Sequence, residues 1–302
     1  MSAGGIAVIG SVAFDTIETP HGRADHELGG AATHFAVSAS FFAPVHIVAP
    51  VGDDFPAAER EYLLRRGVGL SGLVTRPGRT FAWHGRYHED MNVRDTLHLD
   101  LGVFSDFEPR VPDDLRGTPY VFLGVIHPDQ QGAILPQFAA PRLVGLDTMT
   151  HWIHEARPGL ERVLPHVGLF VLNDEEARVL TGESNVPRAA RKILAMGPRR
   201  VLIKRGEYGA ILFSADSVFA VPAFPLEQVF DPTGAGDTFA GGLVGHLAAT
   251  GDLAEANLRR AIVYGSVMAS FIVEDFGGRR MRTLTRDDIE RRYRQFVALT
   301  EF

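Results

Sequence analysis

The chain has 302 residues, of which 45% are hydrophobic and 22% charged, and its formal net charge is −7. A chain of this length and composition can bury a sizeable core as one large domain. The absence of cysteine excludes a disulfide scaffold, a thiol nucleophile, an iron–sulfur cluster and a thiolate zinc site. The acidic balance argues against nucleic-acid binding.

The sequence contains no evident targeting or membrane segment. The apolar run near the N-terminus is too short for a signal sequence. No stretch approaches the about 20 apolar residues of a membrane-spanning helix. We therefore expect a cytoplasmic protein that binds neither a membrane nor nucleic acid.

Short apolar runs and amphipathic stretches alternate along the chain. Strands are predicted at 6–10, 46–51, 120–125, 143–147, 169–172, 200–204 and 210–213. Helices are predicted at 31–42 and 55–66 and between most of the later strands. This alternation is typical of a single α/β domain, here 1–302, with a mostly parallel sheet.

The segment 80–104 breaks this rhythm, because it is rich in aromatic residues and alternates polar with apolar positions. That pattern predicts antiparallel strands partly open to solvent. We interpret it as a small β lid formed by about 80–104 together with part of 11–28. An edge hairpin without a function is the alternative interpretation.

The strongest local signal is DPTGAGD at 231–237, followed by small and apolar residues in a run long enough for a helix. The amides of Gly234, Ala235 and Gly236 at a helix entry predict an anion hole. Asp237 would oppose anion binding there unless it takes a proton from a hydroxyl that attacks phosphorus. The alternative is a glycine-rich turn in which Asp237 only caps the helix.

The motif DPTGAGDTFAGG resembles the signature D-T-x-G-A-G-D of the ribokinase/PfkB family of carbohydrate and nucleoside kinases. The resemblance covers nearly the whole chain. It implies a ribokinase-like α/β fold, with a doubly wound, mostly parallel sheet and helices on both faces. It also implies magnesium- and ATP-dependent phosphotransfer to a hydroxyl of a sugar or related polyol.

Other functions remain as alternatives to a sugar kinase. A nucleoside or inositol kinase of the same family would share the phosphate-site residues. A non-catalytic sugar or nucleotide sensor would be expected to lose Asp237 or the glycines beside it. A nicotinamide-dependent oxidoreductase is disfavoured, because no G-x-G-x-x-G follows the first strand.

The resemblance also indicates which residues bind the phosphate acceptor. Asp15 and the pair Gly29-Gly30 occupy the positions of the family's N-terminal acid and Gly-Gly pair. A carboxylate suits two adjacent hydroxyls, and glycine lets the backbone approach a ligand. Thr33 and His34 stand where many relatives have asparagine, which puts ribose and fructose specificity in doubt. A packed helix histidine is the alternative for His34.

Three further residues complete the predicted acceptor site. Asp147 follows a strand at the edge where open α/β sheets bind ligands. Trp83 and Arg86 lie in the predicted lid, which would close over the substrate and exclude water. Arg86 would suit an acidic acceptor, or it faces solvent.

The resemblance places the nucleotide in the second half of the chain. Asn173 and Glu176 match the family's N-x-x-E element, and Glu176 would act near magnesium through water. Lys204, one of only two lysines, would reach a phosphate as a point charge. Gly206 and Gly209 match the glycine turn that holds ATP. A strand-end charge in solvent is the alternative for Lys204.

Two further expectations come from the same resemblance. A monovalent cation, potassium, would lie between Asp231 with the Thr233 carbonyl and the segment 270–278. The lid would pack against a second lid and form a homodimer. The identity of the acceptor and the position phosphorylated are left open by the sequence.

Overall fold

Two β-sheets organise the structure, a computed structural model that describes residues 5–301. The strands are β1 Ile6–Ile9, β2 Ala13–Thr19, β3 Gly22–Gly29, β4 Val45–Gly52, β5 Val68–Arg76, β6 Phe81–Tyr87, β7 Arg94–Asp100, β8 Tyr120–Leu123, β9 Leu143–Asp147, β10 Leu169–Asn173, β11 Val201–Lys204, β12 Ala210–Phe213 and β13 Val218–Val221. The helices are α1 Ala31–Ala39, α2 Ala57–Arg65, α3 Pro128–Ile134, α4 Thr150–Glu155, α5 Arg157–Val163, α6 Asp174–Thr181, α7 Val186–Ala195, α8 Ala235–Thr250, α9 Glu255–Ile272, α10 Arg279–Thr283 and α11 Arg286–Thr300.

The larger sheet has nine strands in the order β13-β12-β11-β10-β9-β8-β1-β4-β5. Every neighbouring pair from β11 to β5 in this order is parallel. Strands β12 and β13 pair antiparallel and form one edge of the sheet. The chain leaves β1 toward β4 and β5 and later returns to the other side of β1 with β8. This is the predicted doubly wound, mostly parallel arrangement, and the fold class is confirmed.

Both faces of the large sheet are buried, because side chains of a strand alternate between its two sides. In β1, Ile6 and Val8 join a core shared with α1, α8 and α9. Ala7 and Ile9 join a second core shared with α3, α5, α6 and α7. Burial on both sides explains why β1, β8 and β10 are almost continuous apolar runs.

The sheet topology determines where a ligand can bind. The carboxyl ends of parallel strands lie at one edge, and the strand order reverses between β1 and β8. Asp147 ends β9, Asn173 ends β10 and Lys204 ends β11 at that edge. The chain leaves the end of β1 directly into the second sheet.

The second sheet has four strands in the order β3-β2-β6-β7. β6 pairs antiparallel with β7 and β2 with β3, whereas β2 and β6 run parallel. Its strands therefore come from 13–29 and 81–100. The sequence predicted antiparallel strands across 80–104 but not the parallel pairing, because register between distant segments has no local signature.

Several element boundaries differ from the sequence prediction. β5 and β13 were not predicted, since β5 is interrupted by Gly69 and Gly72 and β13 is a four-residue edge strand with Val218 exposed. The predicted helix 31–42 ends at Ala39. Across residues 5–301 no single helix is long and apolar enough to cross a membrane. Helix α9 and the segment Phe276–Thr283 meet that length and composition only together, across a bend of 101°.

Candidate active site

A buried ion pair lies at the carboxyl edge of the large sheet. The Lys204 Nζ donates to Asp147 Oδ2 at 3.0 Å, and the two side chains are 18% and 4% exposed. Burial opposes the charge on Lys204, but the carboxylates of Asp147, Glu176 and Asp237 raise its pKa overall. The lysine is therefore a fixed cation inside the site rather than a strand-end charge in solvent.

Asn173 and Glu176 are held together at the start of α6. The Asn173 side chain accepts from the Glu176 amide at 2.8 Å, and Glu176 Oε2 accepts from the Asn173 amide at 2.7 Å. This reciprocal capping box fixes both side chains at the sheet edge. Burial and the nearby Asp147 carboxylate raise the pKa of Glu176 to about 7, against the opposing charge of Lys204.

The segment 231–237 forms a tight loop that leads into α8. Gly234 caps the helix with a φ of +73°, a left-handed conformation that favours glycine. The Asp231 carboxylate is buried, and it accepts from the amides of Thr233 at 2.8 Å and Gly277 at 2.9 Å. Asp231 therefore ties this loop to the segment after α9.

The set of unpaired amides at this helix entry differs from the predicted set by one member. The Ala235 amide donates to the Pro232 carbonyl at 3.1 Å and is not available to a ligand. The amides of Gly234, Gly236 and Asp237 have no acceptor in the part of the chain that the structure describes. Such unpaired donors at a helix N-terminus attract an anion.

Asp237 lies in the first turn of α8, half-buried beside these amides. Burial and the Asp147 carboxylate raise the pKa of Asp237 to about 6, and Lys204 and His34 oppose that rise. A Cβ built on Gly236 would lie 2.7 Å from Lys204 Nζ. The general-base candidate, the amides and the lysine ammonium therefore surround one position.

Asp15 and the Gly-Gly pair meet the same site from the second sheet. Asp15, in β2, is 5% exposed, and a Cβ on Gly29 would lie 1.9 Å from its Oδ2. Gly30 has a φ of +91° and caps α1. The Asp15 carboxylate therefore contacts the backbone of Gly29 directly, and any other residue at position 29 would displace it.

Thr33 and His34, on the first turn of α1, contribute buried polar atoms without partners. Thr33 Oγ1 and His34 Nε2 have no hydrogen-bond partner among residues 5–301. His34 Nε2 lies 4.0 Å from Asp15 Oδ2, and its ring packs against Gly234. Burial lowers the pKa of His34, but the carboxylates of Asp15, Asp237 and Asp231 raise it overall. Buried donors without partners are costly, which indicates a place for a hydroxyl-bearing ligand.

The lid sheet covers this site with the face that carries Trp83 and Tyr87. The Thr233 hydroxyl donates to the Tyr87 hydroxyl at 3.2 Å, and burial raises the pKa of Tyr87 to about 12. Arg86 lies on the opposite face, where its Nε donates to Glu18 Oε2 at 2.7 Å. The structure brings Trp83 to the site but does not bring Arg86 there, because alternate residues of a strand face opposite sides.

An aromatic cluster lies beside Asp15, of which Trp83 was expected from the sequence whereas Phe230 and Phe276 were missed. Tyr87 and Phe276 pack with the partly buried Trp83, Met91 and Phe230. Phe230 precedes the DPTGAGD motif directly, and Phe276 lies in the segment that follows α9. Single aromatic residues next to a motif carry no signal of their own, so only the tertiary structure assembles this cluster.

The glycine turn predicted for the nucleotide lies under the tip of the β6–β7 hairpin. Gly206 has a φ of +53°, and a Cβ on it would lie 2.5 Å from Asn92 Oδ1. Asn92 Nδ2 donates to Glu207 Oε2 at 2.9 Å. Gly209 has a φ of +86°, and its Cβ would lie 2.0 Å from the Val221 carbonyl oxygen. Both glycines are therefore required by backbone conformation and close packing.

Comparison with known proteins places this chain among kinases. Residues 143–284 match the family described as pfkB family carbohydrate kinase. A cytidine kinase of Thermococcus kodakarensis is 33% identical over 248 residues, which covers 79% of this chain and 87% of that protein. The Methanocaldococcus jannaschii nucleoside kinase structure has a TM-score of 0.78 at 20% identity and covers 97% of this chain and 99% of that one.

A second solved structure has a similar fold. A putative ribokinase II from E. coli in complex with ATP and Mg²⁺ has a TM-score of 0.77 at 22% identity, and the match covers 98% of this chain and 99% of that one. At these identities the structural likeness concerns the fold. The sequence similarity to the cytidine kinase goes further: this chain belongs to the pfkB family of carbohydrate kinases and is an ATP-dependent kinase that phosphorylates a sugar or nucleoside.

Proposed function

We propose that the acceptor of this kinase is a nucleoside. The observation that carries the proposal is the juxtaposition of two surfaces that both contact the 231–237 loop, one through His34 against Gly234 and the other through Tyr87 against Thr233. A polar wall of Asp15, Thr33 and His34 suits ribose hydroxyls, and the aromatic cluster of Trp83, Tyr87, Met91, Phe230 and Phe276 suits the face of a base. A small sugar or inositol would use the polar wall alone and would not cover this cluster.

Asp237 acts as the general base in the proposed reaction. The proton of the acceptor hydroxyl passes to Asp237 as the hydroxyl oxygen forms a bond to the γ-phosphorus of ATP. The bond from that phosphorus to the β,γ-bridging oxygen breaks, and ADP leaves with its electron pair. Asp237 then releases the proton to solvent. Its raised pKa of about 6 keeps it a better base than an ordinary aspartate while it remains ionised at neutral pH.

The unpaired amides of Gly234, Gly236 and Asp237 stabilise negative charge on the group in transfer. Lys204 adds a full positive charge close to the Gly236 amide. Because Asp147 holds the ammonium at 3.0 Å, Lys204 keeps its position before the nucleotide arrives. These donors need little reorganisation during the reaction, which is the basis of electrostatic catalysis.

Magnesium fits the donor set at the carboxyl edge. The Asp147 carboxylate raises the pKa of the nearby Glu176 carboxyl, a sign that negative charge accumulates in this cluster. Oxygen ligands are those that Mg²⁺ prefers, and it commonly keeps several waters. In residues 5–301 no group of three or more His, Cys, Asp or Glu side chains could hold a metal alone. Bound magnesium would neutralise phosphate charge, with Glu176 acting through water.

Potassium and a lid-mediated homodimer complete the proposal. Asp231 and the Thr233 carbonyl remain the predicted potassium site, although both Asp231 oxygens already accept backbone amides. The homodimer is supported by β7, an edge strand of the lid on which Leu97 is 42% and Leu99 is 52% exposed. Exposed apolar residues on an edge strand favour pairing with a second copy.

The acceptor class is tested by ADP release with magnesium–ATP against cytidine, uridine, adenosine, inosine, ribose, deoxyribose and myo-inositol, with and without potassium. We expect kcat/KM for one nucleoside to exceed that for every free sugar by at least about tenfold, because the base contacts add binding energy. Phosphorus NMR of the product would verify the new phosphate ester. Faster turnover of a free sugar or inositol than of any nucleoside would contradict the proposal.

A further inference from the structure

The pairing between β8 and β9 stops one residue before the active site. Its last pair joins Leu123 to Leu146, so Asp147 has no paired residue in β8. On its other side Asp147 pairs with Val171 of β10. Gly124 and Asp147 directly follow the last pair, and both residues are buried. Buried backbone carbonyls need hydrogen-bond donors, so another group has to hold the two strands together at this point.

Gln131 supplies this contact from helix α3. Its side chain is 1% exposed, and its Nε2 donates to the Gly124 carbonyl at 2.9 Å and to the Asp147 carbonyl at 3.1 Å. Because two carbonyl oxygens accept only from donors, the orientation of this carboxamide follows from its partners. Gln131 therefore joins the ends of β8 and β9 where their backbone pairing stops.

The hydrogen bond to the Asp147 carbonyl also controls the Asp147 side chain. The carbonyl of Asp147 and the amide of Thr148 belong to one planar peptide unit, so fixing the direction of the first fixes that of the second. The Thr148 amide donates to Asp147 Oδ1 at 2.8 Å. Gln131 thereby orients the carboxylate through the peptide that follows it.

The same carboxylate holds the cation of the phosphate site. Its other oxygen, Asp147 Oδ2, accepts from Lys204 Nζ at 3.0 Å. A Cβ on Gly236 would lie 2.7 Å from that Nζ, so the ammonium lies beside the unpaired amides at the start of α8. Electrostatic catalysis requires such charges to be in place before the reaction. A displacement of Asp147 would therefore move Lys204 relative to the group in transfer.

We propose that Gln131 is a positioning residue for phosphoryl transfer, which acts through Asp147 on Lys204. The assignment rests on the proposed phosphotransfer at Asp237. Within residues 5–301 the side-chain hydrogen bonds of Gln131 go only to the two strand-end carbonyls, and its Oε1 has no partner. Its two N–H donors therefore carry its role, and its effect on the reaction is transmitted through the backbone.

The proposal is tested with Gln131→Met, which keeps the length of the side chain and removes both donors. We expect kcat for the nucleoside with the highest kcat/KM to fall about 10- to 100-fold, since small displacements of catalytic groups cause losses of this size. The acceptor KM should stay within about twofold, because the polar wall that binds the acceptor is unchanged.

Gln137→Met is the matched control. Gln137 lies just after α3 and also binds backbone, because its Oε1 accepts from the Val111 amide at 2.9 Å and its Nε2 donates to the Pro109 carbonyl at 3.3 Å. These contacts do not involve β9. We expect this variant to lower the melting temperature but to keep kcat within about twofold of the parent protein.

A double-mutant cycle with Asp147→Ala separates positioning from a general loss of stability. Without the Asp147 carboxylate, Gln131→Met has no side chain to displace, so its effect on kcat should shrink to within about twofold. Calorimetry with magnesium and the imido analogue of ATP repeats the cycle without an acceptor. Gln131→Met should weaken analogue binding about fivefold or more in the parent protein and much less in Asp147→Ala.

The proposal is overturned by an unchanged kcat in Gln131→Met, by equal losses in the parent and Asp147→Ala backgrounds, or by the same loss of kcat in Gln137→Met. Should Gln131→Met not fold, Gln131→Asn takes its place, because it keeps a neutral carboxamide that is too short to reach both carbonyls. Absence of turnover with every acceptor would count against the nucleoside assignment alone, since the binding cycle still decides the role of Gln131.

Discussion

Asp237 and Glu176 have raised pKa values for a shared reason: both carboxylates are removed from water close to Asp147. The values of about 6 and about 7 place their titration just below or at neutral pH. Because the groups interact, a pH profile reports the coupled set rather than one residue. Lys204 limits the rise by stabilising the ionised forms.

This titration predicts an acidic limit to activity. The general base must be ionised, so kcat/KM should fall as the pH decreases through about 7 to 6, the range of the two raised pKa values. The measurement is a pH–rate profile from pH 5 to 9 with saturating magnesium–ATP. A profile that stays flat down to pH 5 would contradict the assignment of a raised pKa to the base.

Replacing the base predicts a large loss of turnover. Asp237→Asn should lower kcat by about 10²- to 10⁴-fold, the usual contribution of a general base. ADP affinity should be largely retained, since the side chain acts on the acceptor hydroxyl. Single-turnover kinetics and calorimetry would check the two parts. Near-normal turnover in Asp237→Asn would contradict its role.

The same substitution has an opposite effect on stability. The pKa of Asp237 is higher in the folded state than in the unfolded chain, so ionisation of this side chain lowers the free energy of unfolding. The protonated side chain does not carry this cost, and that advantage is lost as the pH rises through about 6. At pH 8 the parent protein therefore holds an unfavourable charge, and Asp237→Asn should stabilise the ligand-free fold by about 1–2 kcal/mol.

Thermal melts at pH 8 and pH 4.5 would test this effect, which should shrink at the lower pH. Asp216→Asn is the matched control, because Asp216 is exposed in the turn between β12 and β13. Equal shifts for both variants, or a lower melting temperature for Asp237→Asn at pH 8, would contradict the argument.

At the scale of elements, the entry of α8 depends on Gly234. Its φ of +73° disfavours any other residue, and a Cβ there would lie 2.4 Å from the His34 ring. Gly182, at the end of α6, has nearly the same φ of +72° but nothing within 4 Å of a Cβ. A comparison of substitutions at the two positions therefore distinguishes the cost of backbone strain from the cost of a steric clash.

We expect Gly182→Ala to lower the free energy of unfolding by about 1–2 kcal/mol, the cost of a left-handed conformation for alanine. Gly234→Ala should cost more and should also reduce kcat, because the clash displaces His34 and the free amides. Denaturant unfolding and kinetics of both variants would check this difference. Equal destabilisation with normal activity in Gly234→Ala would show that the clash is relieved elsewhere.

At the scale of the whole molecule, the lid presents two different surfaces. Its inner face carries Asp15, Trp83 and Tyr87, whereas Glu18 on the outer face pairs with Arg23 and Arg86. The edge strand β7 adds exposed leucines. The proposed homodimer would use this edge, where Leu99 lies directly opposite Trp83.

Substitution of the exposed edge tests the homodimer. Leu97→Asp combined with Leu99→Asp should convert the dimer to a monomer, because charge on an edge strand opposes pairing. Sedimentation equilibrium at micromolar concentrations would measure the state, with Val218→Asp on the exposed edge strand β13 as the control. A monomeric parent protein would contradict the dimer.

Local chemistry made much of the site predictable. Three features could be recognised from the sequence because each has particular residues at a fixed spacing: the DPTGAGD motif, the Gly29-Gly30 pair and the acids near strand ends. Their side chains do meet at one edge of the sheet, since parallel strands bring their carboxyl ends together. The free amide of Ala235 was predicted wrongly because it depends on how the loop folds back onto Pro232.

The sequence by itself determined the fold class, the family and the position of the glycine-rich motif, because alternating apolar periodicity and glycine-rich turns are local properties of the chain. Only the tertiary structure decided which lid residues face the site. Trp83 and Arg86 are three residues apart in one strand, so they project to opposite faces, and β7 places Arg94 beside Tyr87 through its register. Register and side-chain facing depend on contacts between distant segments, which no short stretch of sequence specifies.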